Sequence, residues 1–205
     1  MSTSEEEEKY FAHVEFERRT KVQRKLDAAA QEAMERRKMA AALNGASESL
    51  VDRLRALGFD GETAKVLDIL PLVHVAWADG SVAARERAAI LQLLDIKGVA
   101  ANSEGYHLIT ALLAKRPSEA FLDETLGLLA EVARQHGGQA ETVVDLCVLV
   151  AEAHQGLFGF GRTVSSDERE MIERIASKLG DAAVDEAHKR LHAAGAIRGS
   201  ARSAV

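Results

Sequence analysis

Cysteine, proline and aromatic residues are all scarce in this chain, and each scarcity removes a class of structure. A single cysteine, Cys147, cannot form an internal disulfide, so no disulfide framework holds the fold and a reducing compartment is expected. It lies in the apolar run Leu146-Cys147-Val148-Leu149-Val150, where it reads as a small buried hydrophobe. With two prolines and 4% aromatic residues, the 47% hydrophobic content falls mainly to Ala, Leu and Val, the residues of helix bundles. No apolar stretch reaches the roughly 18 residues of a membrane span. The acidic start, Met1 to Glu8, has neither the basic nor the apolar region of an export signal, so a cytoplasmic protein without a membrane span is expected. Strand-type alternation is missing throughout, which leaves an all-α chain.

What is abundant is charge, unevenly placed. Residues 1–45 hold nine basic and nine acidic side chains, whereas residues 46–180 hold 13 basic and 20 acidic. The acidic balance of that middle part disfavours nucleic acid and anionic membranes as partners. Residues 5–43 contain no Gly or Pro and are rich in Glu, Lys, Arg, Gln and Ala, which predicts one long helix. Its first 17 residues carry six acids and one base, and residues 18–45 carry eight bases and three acids, an order that suits the helix dipole. A 4-3 spacing through Val22, Leu26, Ala29, Ala33, Arg36, Ala40 and Leu43 draws a narrow seam that is mostly alanine. Docking on its own chain, binding a partner and free solvation all remain open for this helix. Tyr10, Phe11, Val14 and Phe16 form the stronger apolar anchor, and Phe11 and Val14 are its candidate partner-binding residues.

Asn44-Gly45 stops that helix, Ser47 can cap the next, and Leu50, Val51, Leu54 and Leu57 give it one apolar face before Gly58. Residues 62–78 are apolar almost all round, the mark of a central buried helix, with Pro71 predicting a kink or two short helices. Further helices are predicted over 83–96, 103–115, 118–135, 139–154, 166–179 and 181–193. Residues 195–205, made of Gly, Ser, Ala and Arg with little to bury, are expected to be a disordered tail.

One unit recurs. Val75-Ala76-Trp77-Ala78-Asp79-Gly80 corresponds to Val150-Ala151-Glu152-Ala153-His154-Gln155, and Val82-Ala83-Ala84-Arg85-Glu86-Arg87 corresponds to Val164-Ser165-Ser166-Asp167-Glu168-Arg169. Each unit is a buried helix, a turn, a valine and a second helix with Glu in its first turn; Ile90 then matches Ile172. Ser165 and Glu168 spell a capping box. Ala83 cannot accept a hydrogen bond through its side chain, so Glu86 is expected to have lost its partner and that helix start to be weaker by about 1 kcal/mol.

At these residues the chain resembles the TerB-like family, the tellurite-resistance domain and its relatives, over about residues 50–180. The string from Val75 through Ala78-Asp79-Gly80 to Val82 and Glu86 resembles that family's helix ending in Ala-Asp-Gly followed by Val and a first-turn Glu. The second copy, ending at Ile175-Ala176-Ser177-Lys178-Leu179-Gly180, resembles the family's second half. The resemblance implies a compact bundle of about seven helices, a link to bacterial chemical-stress resistance, acidic surface sites for divalent metal, protein partners and no known catalysis. Related co-chaperones join a similar domain to a J domain, whose His-Pro-Asp signature is missing here: Pro71 follows Leu70 and Pro117 follows Arg116.

Asp79, Glu86, Glu152, Asp167 and Glu168 bracket the two turns and are candidate ligands for calcium or magnesium, which prefer clustered carboxylate oxygens. Asp-Gly is equally a plain turn signal, and a first-turn Glu is ordinary capping. Gly156-Leu157-Phe158-Gly159-Phe160-Gly161-Arg162-Thr163 approaches a phosphate loop, but arginine replaces lysine and a helix precedes it in place of a strand. Its Leu157, Phe158 and Phe160 read either as a plug returned to the core or as a partner-binding contact. His188 and His192 have the spacing of a zinc pair but lack a third convergent ligand, and His74 is expected as a hydrogen-bonded core residue. No nucleophile is placed with a histidine and a carboxylate in a supportable way, so the chain is read as non-enzymatic.

These readings give three parts: a long charged helix over 1–45, a TerB-like helical domain over 46–194 and the tail over 195–205. The expected function is that of a binding or scaffold protein of the stress response, with protein partners and self-association through the long helix in view. A divalent-cation sensor built on the acidic turns is the alternative.

Overall fold

A computed structural model describes residues 3–136, 139–153 and 164–200. Among these residues every regular element is helical. The first, α1, spans Thr3–Ala42 and is sustained by pairs one turn apart, such as Arg19 with Glu15 and Gln23 with Asp27. The chain divides within this helix into Met1–Lys38 and Met39–Val205. The predicted boundary after residue 45 thus moves back to Lys38, because Met39 and Leu43 are buried in the second unit. In the first unit Tyr10, Phe11, Phe16, Val22, Leu26 and Met34 are all exposed, and Val14 is half-buried.

The second unit continues through α2 (Glu48–Ala56), a 3-10 helix (Thr63–Ile69), α3 (Leu70–Ala76), α4 (Ala84–Ile96), α5 (Glu104–Ala114), α6 (Glu119–His136), α7 (Gln139–Ala153), α8 (Ser166–Leu179) and α9 (Asp181–Ser200). The bundle therefore carries eight α-helices among the described residues. Ser47 accepts from Leu50 N–H at the start of α2, which buries Leu50, Val51 and Leu54. Asp60 Oδ1 then takes the backbone N–H groups of Glu62 and Thr63 at 3.0 and 2.8 Å, fixing the turn into the 3-10 helix.

Pro71 stands in the first turn of α3, where its missing N–H would have no helical partner in any case. The helix predicted around it is accordingly two short pieces, the first of them wound as 3-10. Every residue from Leu70 to Ala76 is buried, as the all-round apolar pattern requires of a central helix. At the other end, α9 runs to Ser200, past Gly195, where a tail was expected. Alanines on both sides of Gly195 favour the helix and offset the roughly 1 kcal/mol a helical glycine costs.

The internal duplication is visible in the packing. α3 lies against α7, α4 packs on α7, and α8 packs on α3, so each copy's second helix crosses to the other copy's buried helix. α5 covers the 3-10 helix and α3 much as α9 covers α7. Ile90 and Ile172, matched in sequence, are both fully buried. The symmetry is partial, since α8 also packs along α6 and α9 while α4 makes no comparable contact with α2 or α5.

Candidate functional site

The helices that follow the two turns start on one plan, and the first-turn glutamate of each serves the backbone. In the first, Asp79 is exposed and its Oδ1 accepts from Ser81 N–H at 3.0 Å. Gly80 has φ +96°, a conformation that a side chain would strain. Glu86, 1% exposed, bends back so that its Oε2 accepts from Ala83 N–H at 2.7 Å. In the second, Glu168, 4% exposed, accepts from Ser165 N–H at 2.7 Å while Ser165 Oγ accepts from Glu168 N–H at 3.2 Å. The expectation that Glu86 had lost its partner is therefore corrected. A serine hydroxyl is needed for only one of the box's two bonds, and the bond to the backbone N–H survives with alanine at the cap.

The arginine after each glutamate carries the plan further. Arg87 donates to Leu113 O at 2.6 Å and Arg169 to Leu191 O at 3.4 Å, so each copy ties the start of its second helix to carbonyls of its third. Trp77 Nε1–H adds a bond to Leu112 O at 2.9 Å in the first copy. The matched Glu-Arg pairs, Glu86-Arg87 and Glu168-Arg169, were the signal for this in the sequence, although the partners they reach were not.

Ala83 has φ −67° and ψ 150°, close to the −63° and 166° of Ser165. Ala83→Ser should thus complete the missing half of the first box and stabilise the protein by about 1 kcal/mol, and Ser165→Ala should cost about as much. Urea unfolding of both variants against the wild type checks the pair of signs.

Ala78, next to the first turn, shares an open hollow of about 200 Å³ with Asp167, Glu170, Met171 and Arg174 of α8. The two copies thus meet there, yet they bring together only two carboxylates, faced by a guanidinium. Among the described residues no three of His, Cys, Asp and Glu converge as a metal site would require. Of the candidate ligands, Asp79 and Asp167 are exposed, Glu152 is half-buried, and Glu86 and Glu168 are held by backbone N–H groups. Leu157, Phe158 and Phe160, with the rest of the glycine-phenylalanine loop, lie outside the described residues. Phe11 and Val14 belong to the separate first unit.

Arg174 is the centre of an ionic group that the sequence did not announce. It pairs with Glu119 and, at 3.2 Å, with Asp123, which also receives Lys178 at 3.5 Å, joining α6 to α8. The hydrogen bond from Arg174 is the main reason the Asp123 carboxyl titrates below the usual carboxylate range. One turn before Ala78 on α3, His74 is 4% exposed and its Nε2 finds no hydrogen-bond partner. Burial lowers its pKa from 6.5 to about 4; Glu119 opposes that shift, and Arg174 and Arg116 add to it. The histidine is in the core as expected, but not hydrogen-bonded at Nε2.

Comparison with protein-family models, with curated proteins and with solved structures finds no match. Burial pushes the Cys147 thiol far up, which removes its nucleophilic form at neutral pH. His188 and His192 are exposed, and nearby Glu186 is taken by Lys189 at 3.0 Å and Arg190 at 2.9 Å. Arg190 also bonds Asp145 of α7.

Proposed function

We infer that the protein is a non-enzymatic, TerB-like binding or scaffold module of a bacterial chemical-stress response, working in the cytoplasm through protein partners. The observation that carries this reading is the division of labour between the units. In the folded unit Glu86, Arg87, Glu168 and Arg169 are spent on helix caps and inter-helix ties, which supports a scaffold over a reaction centre. In the first unit the part of α1 up to Lys38 presents six large apolar side chains to solvent, a costly display unless something binds there. The Ala-Asp-Gly turn followed by Val and a buried Glu, present once in full and once in degenerate form, supports the family kinship.

Expression of the full chain in a tellurite-sensitive bacterial host tests the stress assignment, and affinity capture from that host tests the partner assignment. The expected results are a raised tolerance to tellurite and a co-purifying protein that is lost with Phe11→Ser and Leu26→Ser. Unchanged tolerance together with capture indifferent to both substitutions would overturn the reading.

A further inference from the structure

We propose that the partner of α1 is a second copy of α1, bound antiparallel about a two-fold axis at Val22. The observation behind this is a spacing. Phe11, Val22 and Ala33 follow one another at intervals of eleven residues, which is three helical turns, so they lie along one line of the helix. Phe11 and Val22 are 67% and 56% exposed, and Leu26, one turn beyond Val22, is 60% exposed. This is a bare apolar line with a large residue at one end and a small one at the other.

An antiparallel pair centred on Val22 sets residue i opposite residue 44 − i of the second copy. Val22 then meets Val22, and Phe11 meets Ala33, so the largest side chain of the line falls where the other helix offers the least bulk. Leu26 meets Arg18, whose aliphatic stem can cover it while the guanidinium stays in water. The same register places the positions of Glu6, Glu7 and Glu8 alongside those of Lys38, Arg37 and Arg36. The helix is acidic over its first 17 residues and basic from residue 18 onward, so a parallel pair would set like charge against like along its whole length. Antiparallel pairing also opposes the two helix dipoles.

The overlap from residue 6 to residue 38 gives about 50 Å of paired helix. The apolar line is thin, with alanine at several of its positions, so the charges contribute much of the association and salt should weaken it. The inference rests on reading α1 as the interaction element, and not on the kinship of the folded unit.

Single cysteines introduced into the full chain test it, with the wild type, whose Cys147 is buried, as the background. Under mild oxidation Val22→Cys should give a covalent dimer, since a residue on the two-fold axis faces its own copy. Phe11→Cys alone and Ala33→Cys alone should not cross-link, while an equimolar mixture of the two should. Sedimentation equilibrium of the unmodified chain should show a dimer at about 0.1 M salt that dissociates at least tenfold more readily at about 1 M. E6K/E7K/E8K should abolish the dimer, and adding R37E/K38E should restore it.

A chain that stays monomeric up to about 1 mM at low salt overturns the proposal. Self-cross-linking of Phe11→Cys, the mark of a parallel pair, overturns it as well. Capture of a lysate protein by a chain that is itself monomeric would sink the pairing and leave the reading of α1 as an interaction element standing. A dimer with no other partner and no effect on tellurite tolerance would do the reverse.

Discussion

Gly105→Leu should destabilise the folded unit by about 3 kcal/mol, among the larger effects a single substitution can have. Gly105 sits in the first turn of α5, where that helix crosses the 3-10 helix. A Cβ built there would lie 3.0 Å from Glu62 O and 3.2 Å from Val66 Cγ1. The first of these is backbone and cannot swing aside, and Val66 is itself fully buried, so the crossing must open to admit a side chain. Thermal unfolding should fall by roughly 10 °C, given the 2–4 °C per kcal/mol usual for a domain of this size. Gly127 of α6 is the control, because nothing lies within 4 Å of its added Cβ. Gly127→Ala should stabilise by up to about 1 kcal/mol through helix propensity alone. Equal effects at the two glycines would mean that the α5 crossing is not close-packed.

The second large effect is one of pH, and it belongs to His74. Its folded pKa of about 4 lies below the 6.5 of an unconstrained imidazole, so between those values the unfolded chain binds the proton more tightly than the native one. Stability from this group is therefore complete above about pH 6.5 and is lost as the pH falls toward 4, with a limit of about 3 kcal/mol. Burial is the main cause, and the groups facing the ring set the balance: Glu119 favours the charged imidazole, whereas Arg174 and Arg116 oppose it. Between about pH 7.5 and pH 5 the wild type should lose about 2 kcal/mol through His74, measured as the fall in urea unfolding free energy. His74→Leu should lose correspondingly less over the same interval. Comparing the two chains cancels the titration of every other group. If both profiles run parallel, His74 is not held neutral by its surroundings.

These two predictions mark where sequence reasoning stopped. His74 could be placed in a buried helix from its apolar neighbours, but not beside Arg174, one hundred residues further on. The Gly105 crossing left no trace in the pattern of α5, because a glycine near a helix start reads as a tolerated one. Glu86 shows the opposite case: its bond to Ala83 N–H is local, and the sequence misjudged only which half of the box would survive.

By itself the sequence determined where most of the helices lie, along with their stops at Asn44-Gly45 and Gly58, the cap at Ser165 and the existence of a repeated unit. All of these depend on hydrogen bonds and apolar spacing within about four residues, which a linear string displays directly. Only the tertiary structure decided that the last turn of α1 from Met39 belongs to the folded unit, that the matched Glu86 and Glu168 are buried, that Arg174 joins α6 to α8, and that Gly105 marks a close crossing. Each of these is set by how helices far apart in the chain meet. That geometry depends on the summed shapes of many side chains and is written at no single position.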